Sequence, residues 1–147
     1  MFCEQRDIGT QSVFVHCVID EMKGSFTILL AEDEVVVRNL LHRILTKHGY
    51  EVMAGANGYE ALSLAQAYQG RIHLLVTDIQ MPEMNGFDLV DVMRAERPET
   101  AILMMSGRYS DDLGQLDKET PFLRKPFLPK ILLERVQYLL DQQSSRG

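Results

Sequence analysis

Charged and hydroxyl side chains follow four apolar runs of this sequence, each at the point where the run ends. The set comprises Glu32 and Asp33 after residues 26–31, Asp78 after 72–77, Ser106 after 101–105, and Lys125 after 122–124. Each residue alone has a simpler structural explanation, because an acidic residue often caps a helix and Asp or Ser-Gly often forms a turn. Together they form one set with a coherent chemistry.

The three carboxylates of this set indicate a cation site. Carboxylates held within a few ångströms of one another repel, and a cation between them removes that repulsion. Mg²⁺ takes oxygen ligands in octahedral geometry and keeps several waters, which suits Glu32, Asp33 and Asp78 with a main-chain carbonyl. The sequence therefore predicts a magnesium site.

A cation beside Asp78 also prepares a site for a phosphoryl group. Mg²⁺ and the ammonium of Lys125 would hold the phosphoryl oxygens, and an aspartate carboxylate is a competent nucleophile for forming an acyl phosphate. Ser106 can donate a hydrogen bond to the same group. This chemistry predicts an aspartyl phosphate at Asp78.

These residues need a scaffold that brings the ends of the apolar runs together. From residue 26 onward, short aliphatic runs alternate with helical patterns, which is typical of βαβ units around a parallel sheet. Ligands of such open α/β sheets bind at the C-terminal ends of the strands. The predicted strands are 26–31, 50–54, 72–77, 101–105 and 122–124, and the predicted helices are 34–48, 61–68, 87–97, 109–118 and 129–141.

Local signals mark several helix ends. Asp33 is predicted to cap the first helix, and Gly49 to end it in a left-handed conformation. Asn57 and Glu60 have the spacing of a capping box at the start of the second helix. The fourth helix, 109–118, contains a glycine and few apolar residues at helical spacing, so we expect a short or mobile element.

The composition is that of an ordinary globular domain, with 147 residues, 46% of them hydrophobic, and a net charge of -6. A negative surface disfavours nucleic acid and anionic lipid as direct partners. No apolar stretch reaches the roughly 18–20 residues of a membrane-spanning helix. We therefore expect one soluble, cytoplasmic domain over 25–141, followed by a polar tail at 142–147, with neither nucleic acid nor membrane as a partner.

The first 24 residues differ in character from the rest and contain both cysteines. Acidic residues flank Arg6, where a signal peptide would have a basic start, and His16 interrupts the apolar run 13–19. Cys3 and Cys17 lack the paired spacing of zinc ligands, so we interpret them as reduced thiols. We predict that segment 1–24 is an extension that forms a short strand or an apolar docking patch. Met22 is an alternative start of the chain.

At the chemically active residues, the sequence resembles the receiver domain of two-component response regulators. The resemblance spans about 26–141 and implies a flavodoxin-like (βα)5 fold, a doubly wound three-layer α/β architecture whose five parallel strands have the order 2-1-3-4-5. It also implies a cis bond between Lys125 and Pro126. The stretches that carry it are ILLAEDE at 28–34, LLVTDIQMPEMNGFDLV at 74–90, ILMMSG at 102–107 and FLRKPF at 122–127.

The resemblance implies a role for each acidic residue. Asp78 would be the phosphoacceptor and a metal ligand, and Asp33 would be a direct Mg²⁺ ligand. Glu32 would hold the metal through water, and the main-chain carbonyl of Gln80 would complete the protein's ligands.

The remaining site residues would respond to the phosphoryl group and affect the rate of its hydrolysis. By the same resemblance, Lys125 would contact the phosphoryl oxygens, Ser106 would be the switch hydroxyl, and Phe122 would be the aromatic side chain whose rotamer follows the switch. Gln80 and Arg108 flank this site and would tune the hydrolysis of the acyl phosphate.

The resemblance also implies the partners. A sensor histidine kinase or a histidine phosphotransferase would donate the phosphoryl group, and a downstream protein target, or a second copy in a homodimer, would read it. The protein would be a switch, with at most self-phosphorylation and autodephosphorylation as activities. The signal would leave by protein contact, as in single-domain receivers, or the chain is one domain of a larger protein, such as a hybrid sensor kinase.

Two departures from the family pattern concern the surface through which the domain would signal to its target. Phe122 has no hydroxyl where many members carry Tyr. The coupling between its rotamer and the switch would therefore depend on packing and not on a phenolic hydrogen bond. Only nineteen positions separate Ser106 from Lys125, which is about one helical turn of 3.6 residues fewer than in many members. The fourth helix is therefore predicted to be truncated.

Three other functions are alternatives to this one. A phosphatase with an aspartyl nucleophile would need a second Asp where Gln80 stands. A dinucleotide or flavin binder would need a phosphate-binding loop where Glu32 and Asp33 would repel phosphate. The remaining alternative is a receiver-like interaction module that works without phosphorylation.

Overall fold

The computed structural model describes residues 26–107 and 119–146, and within them five strands and four helices follow one another along the chain. No helix in these two stretches is both long and apolar enough to cross a membrane. The elements are β1 (Thr27–Ala31), α1 (Val35–Lys47), β2 (Glu51–Gly55), α2 (Gly58–Ala67), β3 (Leu74–Asp78), α3 (Gly86–Glu96), β4 (Ala101–Ser106), β5 (Phe122–Arg124) and α4 (Pro129–Arg146).

All five strands belong to one parallel sheet with the order β2-β1-β3-β4-β5, which confirms the predicted topology. The chain reverses its winding direction between β1 and β3. Asp78, the last residue of β3, pairs with Met105, and Ser106 at the end of β4 pairs with Arg124. The parallel register therefore places the chemically active strand ends at one edge.

Helices cover both faces of the sheet, which explains why the central strands are continuous apolar runs. Side chains of β1 alternate between two cores: Ile28 and Leu30 pack on the α1 and α4 side, and Leu29 and Ala31 pack on the α2 and α3 side. All five residues of β1 and all five of β3 are buried. This packing fixes the positions from which the site residues project.

Asparagine side chains cap two of the helices. Asn57 Oδ1 accepts a hydrogen bond from the backbone N–H of Glu60 at 2.8 Å, and the Glu60 carboxylate accepts from Ala56 N–H at 2.6 Å. The predicted capping box is present, although its return bond reaches the residue before the cap. Asn85 caps α3 in the same way, and Gly49 has the predicted positive φ, of 100°.

The prediction that Asp33 caps the first helix is wrong. The N-cap of α1 is Glu34, which makes no side-chain capping bond. The N–H of Glu34 instead donates to Glu32 Oε2 at 3.1 Å. The exposed Asp33 carboxylate lies near the carboxylates of Glu32 and Asp78. This position competes with a capping role.

Other differences concern element ends. The third strand begins at Leu74, not at residue 72, and the last helix continues past Asp141 to Arg146, so most of the predicted tail 142–147 is helical. The extension 1–24, the predicted helix 109–118 and Arg108 lie outside the described residues.

Gly86 is expected to be essential for the close approach of α3 to the end of β3. A Cβ at this position would overlap the carbonyl oxygen of Asp78 and lie 2.8 Å from Ile79 Cα. Both obstacles are backbone, so Gly86→Ala should reduce the free energy of unfolding in urea by about 1–3 kcal/mol. Gly107→Ala is the control, because its new methyl would meet nothing nearer than Lys125 Cβ at 3.8 Å. Equal stability of the two variants would contradict this account.

Candidate functional site

Three carboxylates meet at the C-terminal edge of the sheet. Glu32 directly follows β1, Asp33 comes next, and Asp78 ends the neighbouring strand β3. Each contributes an oxygen to a group whose members all lie within 4.8 Å of one another. Glu32 is fully buried and Asp78 is 7% exposed, whereas Asp33 is exposed. The predicted acidic cluster is therefore formed, and Asp33 is its solvent-exposed member.

Lys125 supplies the counter-charge to this cluster from the end of β5. Its ammonium donates to Glu32 Oε1 at 2.7 Å and lies 3.4 Å from Asp78 Oδ2. The peptide bond from Lys125 to Pro126 is cis, as the resemblance implied. Because a buried carboxylate needs a charged or hydrogen-bonded partner, Lys125 holds both acidic strand ends in place.

Burial and neighbouring charge raise the pKa of Asp78 to about 6. Burial is the largest cause, followed by the negative charge of Glu32, and the nearby charge and hydrogen bond of Lys125 only partly oppose them. For Lys125, burial lowers the pKa, but the hydrogen bond to Glu32 and the charges of Asp78 and Glu32 outweigh it and raise the pKa overall. The cluster thus contains more negative charge than the lysine compensates, which favours a cation.

A cavity of about 670 Å³ opens above these side chains. Ser106, itself buried, reaches it from the end of β4, and Gln80 reaches it from the loop after β3. Glu32 is not part of its lining. Among the residues that line it are Asp33, Asp78, Gln80, Ser106, Gly107 and Lys125.

The donor set fits Mg²⁺, a hard cation with oxygen ligands. Both oxygens of Glu32 already have partners, Lys125 on one and the N–H of Glu34 on the other. Asp33 and Asp78 face the cavity, and Gln80 lines it. These contacts fit the predicted division, in which Asp33 and Asp78 would bind the ion directly and Glu32 would act through water.

One predicted residue lies outside this arrangement. Phe122 is half-buried and packs against the core on the α2 and α3 side, outside the lining of the cavity. Its carbonyl oxygen accepts a hydrogen bond from Arg135 Nη1 at 2.9 Å. Arg108 lies outside the described residues, and its tuning role stays a prediction.

Sequence reasoning missed some residues that shape the cavity. Met81, Asn85 and Phe87 line it from the loop after β3 and the first turn of α3. Asn85 has a readable signal, because Asn before Gly at a helix start is a typical N-cap. Met81 in the loop and Phe87 in the first turn of α3 have no such signal, because an apolar side chain is usually interpreted as part of the core.

Comparisons with known proteins agree with this geometry. The sequence matches the family described as response regulator receiver domain over residues 28–137. The sensor kinase CckA of Brucella abortus (strain 2308) is 36% identical over 126 residues, which cover 84% of this chain and 13% of that protein. The regulatory protein VanRB of Enterococcus faecalis (strain ATCC 700802 / V583) is 39% identical over 125 residues, or 82% of this chain and 55% of that protein. The chain thus spans only part of the length of both relatives.

Solved structures show the same fold. The receiver domain from the hybrid histidine kinase CckA superposes with a TM-score of 0.68 at 36% identity, covering 78% of this chain and 98% of that structure. A CheY-like response regulator receiver domain protein from Methanospirillum hungatei JF-1 gives a TM-score of 0.74 at 29% identity, covering 83% of this chain and 98% of that structure.

Proposed function

The chain belongs to the response regulator receiver domain family, and on this premise we propose that it accepts a phosphoryl group from phosphohistidine on Asp78. Receiver domains are phosphoacceptor switches of two-component systems and bind Mg²⁺ at an acidic pocket. The observation that carries the assignment of Asp78 is its position, since this buried carboxylate lines the cavity 3.4 Å from the Lys125 ammonium.

In the proposed step, a carboxylate oxygen of Asp78 forms a bond to phosphorus while the phosphorus–nitrogen bond of phosphohistidine breaks. The electron pair of that bond returns to the ring nitrogen, and the second ring nitrogen keeps its proton, so neutral imidazole leaves and no other reactant is needed. Lys125 neutralises the phosphoryl oxygens, and Ser106 donates a hydrogen bond to one of them. Bound Mg²⁺ would supply further positive charge, held by Asp33, Asp78 and the carbonyl of Gln80.

The charge added to Asp78 acts as the signal. It would draw Ser106 and Lys125 towards the phosphoryl group and shift the population of the adjoining surface, with Phe122 following by packing. Gln80 and Arg108 would tune how fast water removes the group. Self-phosphorylation by a small phosphodonor and autodephosphorylation would be the only catalytic activities.

The partners follow from the same chemistry. A sensor histidine kinase or a histidine phosphotransferase would donate the phosphoryl group in the cytoplasm. A downstream protein, or a second copy of the chain, would bind the altered surface. The family membership and the relatedness to a sensor kinase and a regulatory protein support these partners.

The test is intact-mass analysis after incubation with acetyl phosphate. Wild type should gain one phosphoryl adduct with Mg²⁺ and none in a chelator. Asp78→Asn should gain none, because the amide lacks the nucleophilic oxygen. Asp91→Asn, an exposed aspartate on α3, is the matched control and should behave as wild type.

A selective donor is the second arm of the test. Wild type that accepts nothing from acetyl phosphate is then incubated with a phosphorylated histidine phosphotransferase. An adduct that persists in Asp78→Asn would overturn the assignment of the acceptor. If neither donor labels wild type, the phosphorylation-independent interaction module would become the better account.

A further inference from the structure

Arg38 is a basic side chain that contacts the backbone of the acidic loop between β1 and α1. Its Nη1 donates to the carbonyl oxygen of Glu32 at 3.0 Å and makes a longer contact, of 3.5 Å, with the carbonyl oxygen of Asp33. Arg38 lies one helical turn into α1, and its side chain is half-buried. The guanidinium therefore reaches back over the start of its own helix to the two residues that precede it.

The other hydrogen bonds of the loop involve Glu32, whose Oε1 accepts from the Lys125 ammonium at 2.7 Å. The N–H of Glu32 donates to Gly55 O at 3.1 Å, which ties it to β2. The N–H of Glu34 donates to Glu32 Oε2 at 3.1 Å, and the N-cap of α1 makes no side-chain capping bond. All three of these bonds involve the backbone or the side chain of Glu32. The contact from Arg38 is thus the side-chain restraint that reaches the backbone of Asp33.

The contact joins the Arg38 guanidinium to the backbone carbonyl oxygens of the loop. The guanidinium bonds to neutral carbonyl oxygens. The charges that shift the pKa of Asp78 are those of Glu32, Lys125 and Asp33, and Arg38 is not among them. A role in orienting the loop is therefore separable from a role in neutralising it.

We propose that Arg38 is a positioning residue for the metal site, which fixes the backbone at Glu32 and Asp33 so that the exposed Asp33 carboxylate faces the cation. This inference rests on the magnesium site of the proposed function. An exposed side chain must lose rotational and backbone freedom to bind an ion. Residues that orient ligands in this way commonly change metal affinity by about 10–100-fold when they are replaced.

The experiment measures ion binding without any phosphodonor. Mn²⁺ is titrated into the protein and the free ion is followed by electron paramagnetic resonance, and Mg²⁺ is then used to displace it. Arg38→Met keeps most of the side-chain volume but has no donor, and it should bind both ions about tenfold more weakly. Arg38→Lys retains one donor group and should recover part of the affinity.

Arg43→Met is the matched control, because Arg43 is an exposed arginine on the same helix and its replacement removes the same charge. It should leave affinity unchanged. Unfolding of each variant in urea with chelator reports stability separately, so a loss of fold in Arg38→Met is recognised and Arg38→Lys then decides the question.

Three results would overturn the proposal. The first is wild-type affinity in Arg38→Met, and the second is an equal loss in Arg38→Met and Arg43→Met, which would indicate a general effect of charge. The third is a failure of wild type itself to bind either ion, which would remove the metal site of the proposed function as well. The first two leave the proposed function intact.

Discussion

Lys125→Met is expected to reduce the free energy of unfolding by about 3–5 kcal/mol in chelator at neutral pH, the range found when one member of a buried ion pair is removed. Lys125 is the counter-charge within hydrogen-bond distance of the fully buried Glu32 and within 3.4 Å of Asp78. Without it, two carboxylates face each other without compensation. Urea denaturation measures the loss.

Two further measurements identify the cause of this loss. Mg²⁺ should restore part of the stability, because a divalent cation takes over the neutralising role. The cost of Lys125→Met should also be smaller in the Asp78→Asn background, since one of the two charges is then absent. Lys130→Met, at an exposed lysine of α4, is the control and should be close to wild type. A loss that is the same in every background would mean that the lysine stem, not its charge, matters.

Asp78→Asn is expected to stabilise the protein in chelator, by about 2–3 kcal/mol above neutral pH. The physical reason is the raised pKa of Asp78, about 6 against an ordinary value of 3.8, since each pKa unit corresponds to about 1.4 kcal/mol. The folded state binds the proton more tightly than the unfolded state, so ionisation of Asp78 costs stability. The variant avoids that cost because its amide is never charged.

The sign of the pH dependence follows from the same linkage. Stability contributed by protonated Asp78 is present below about pH 4 and is lost as the pH rises to about 6. The difference between Asp78→Asn and wild type should therefore be near zero at the acid end and reach its maximum above the raised pKa. Urea titrations from pH 4 to pH 8 would measure it, with Asp91→Asn as the exposed control. A difference that does not change with pH would contradict the account.

Adding Mg²⁺ should reverse the order of the two proteins. The ion stabilises the state that binds it, by an amount that grows with its concentration relative to the dissociation constant. Wild type should gain, and Asp78→Asn should gain much less because it lacks one ligand charge. The same carboxylate thus destabilises the ion-free protein and makes the site selective for a cation.

Much of this protein could be predicted from local sequence. The five strands and their parallel arrangement follow from short apolar runs that alternate with helical patterns, because strands buried on both faces admit few polar residues. The grouping of Asp33, Asp78, Ser106 and Lys125 follows from their positions after those runs, because parallel strands place their C-terminal ends at one edge. Gly49 and Asn57 gave correct helix ends, since their effects depend on the local backbone.

Other features depended on contacts between distant parts of the chain. Lys125 binds Glu32, 93 positions away, at a shorter distance than it approaches Asp78, and only the packed sheet edge decides that choice. The pKa of Asp78 depends on burial and on charges from other strands. Asp33 does not cap its helix, and Arg38 reaches back to the loop before it. Sequence spacing determines which groups reach the site, whereas solvent exclusion and competition among nearby partners, both properties of the folded state, determine which of them bind.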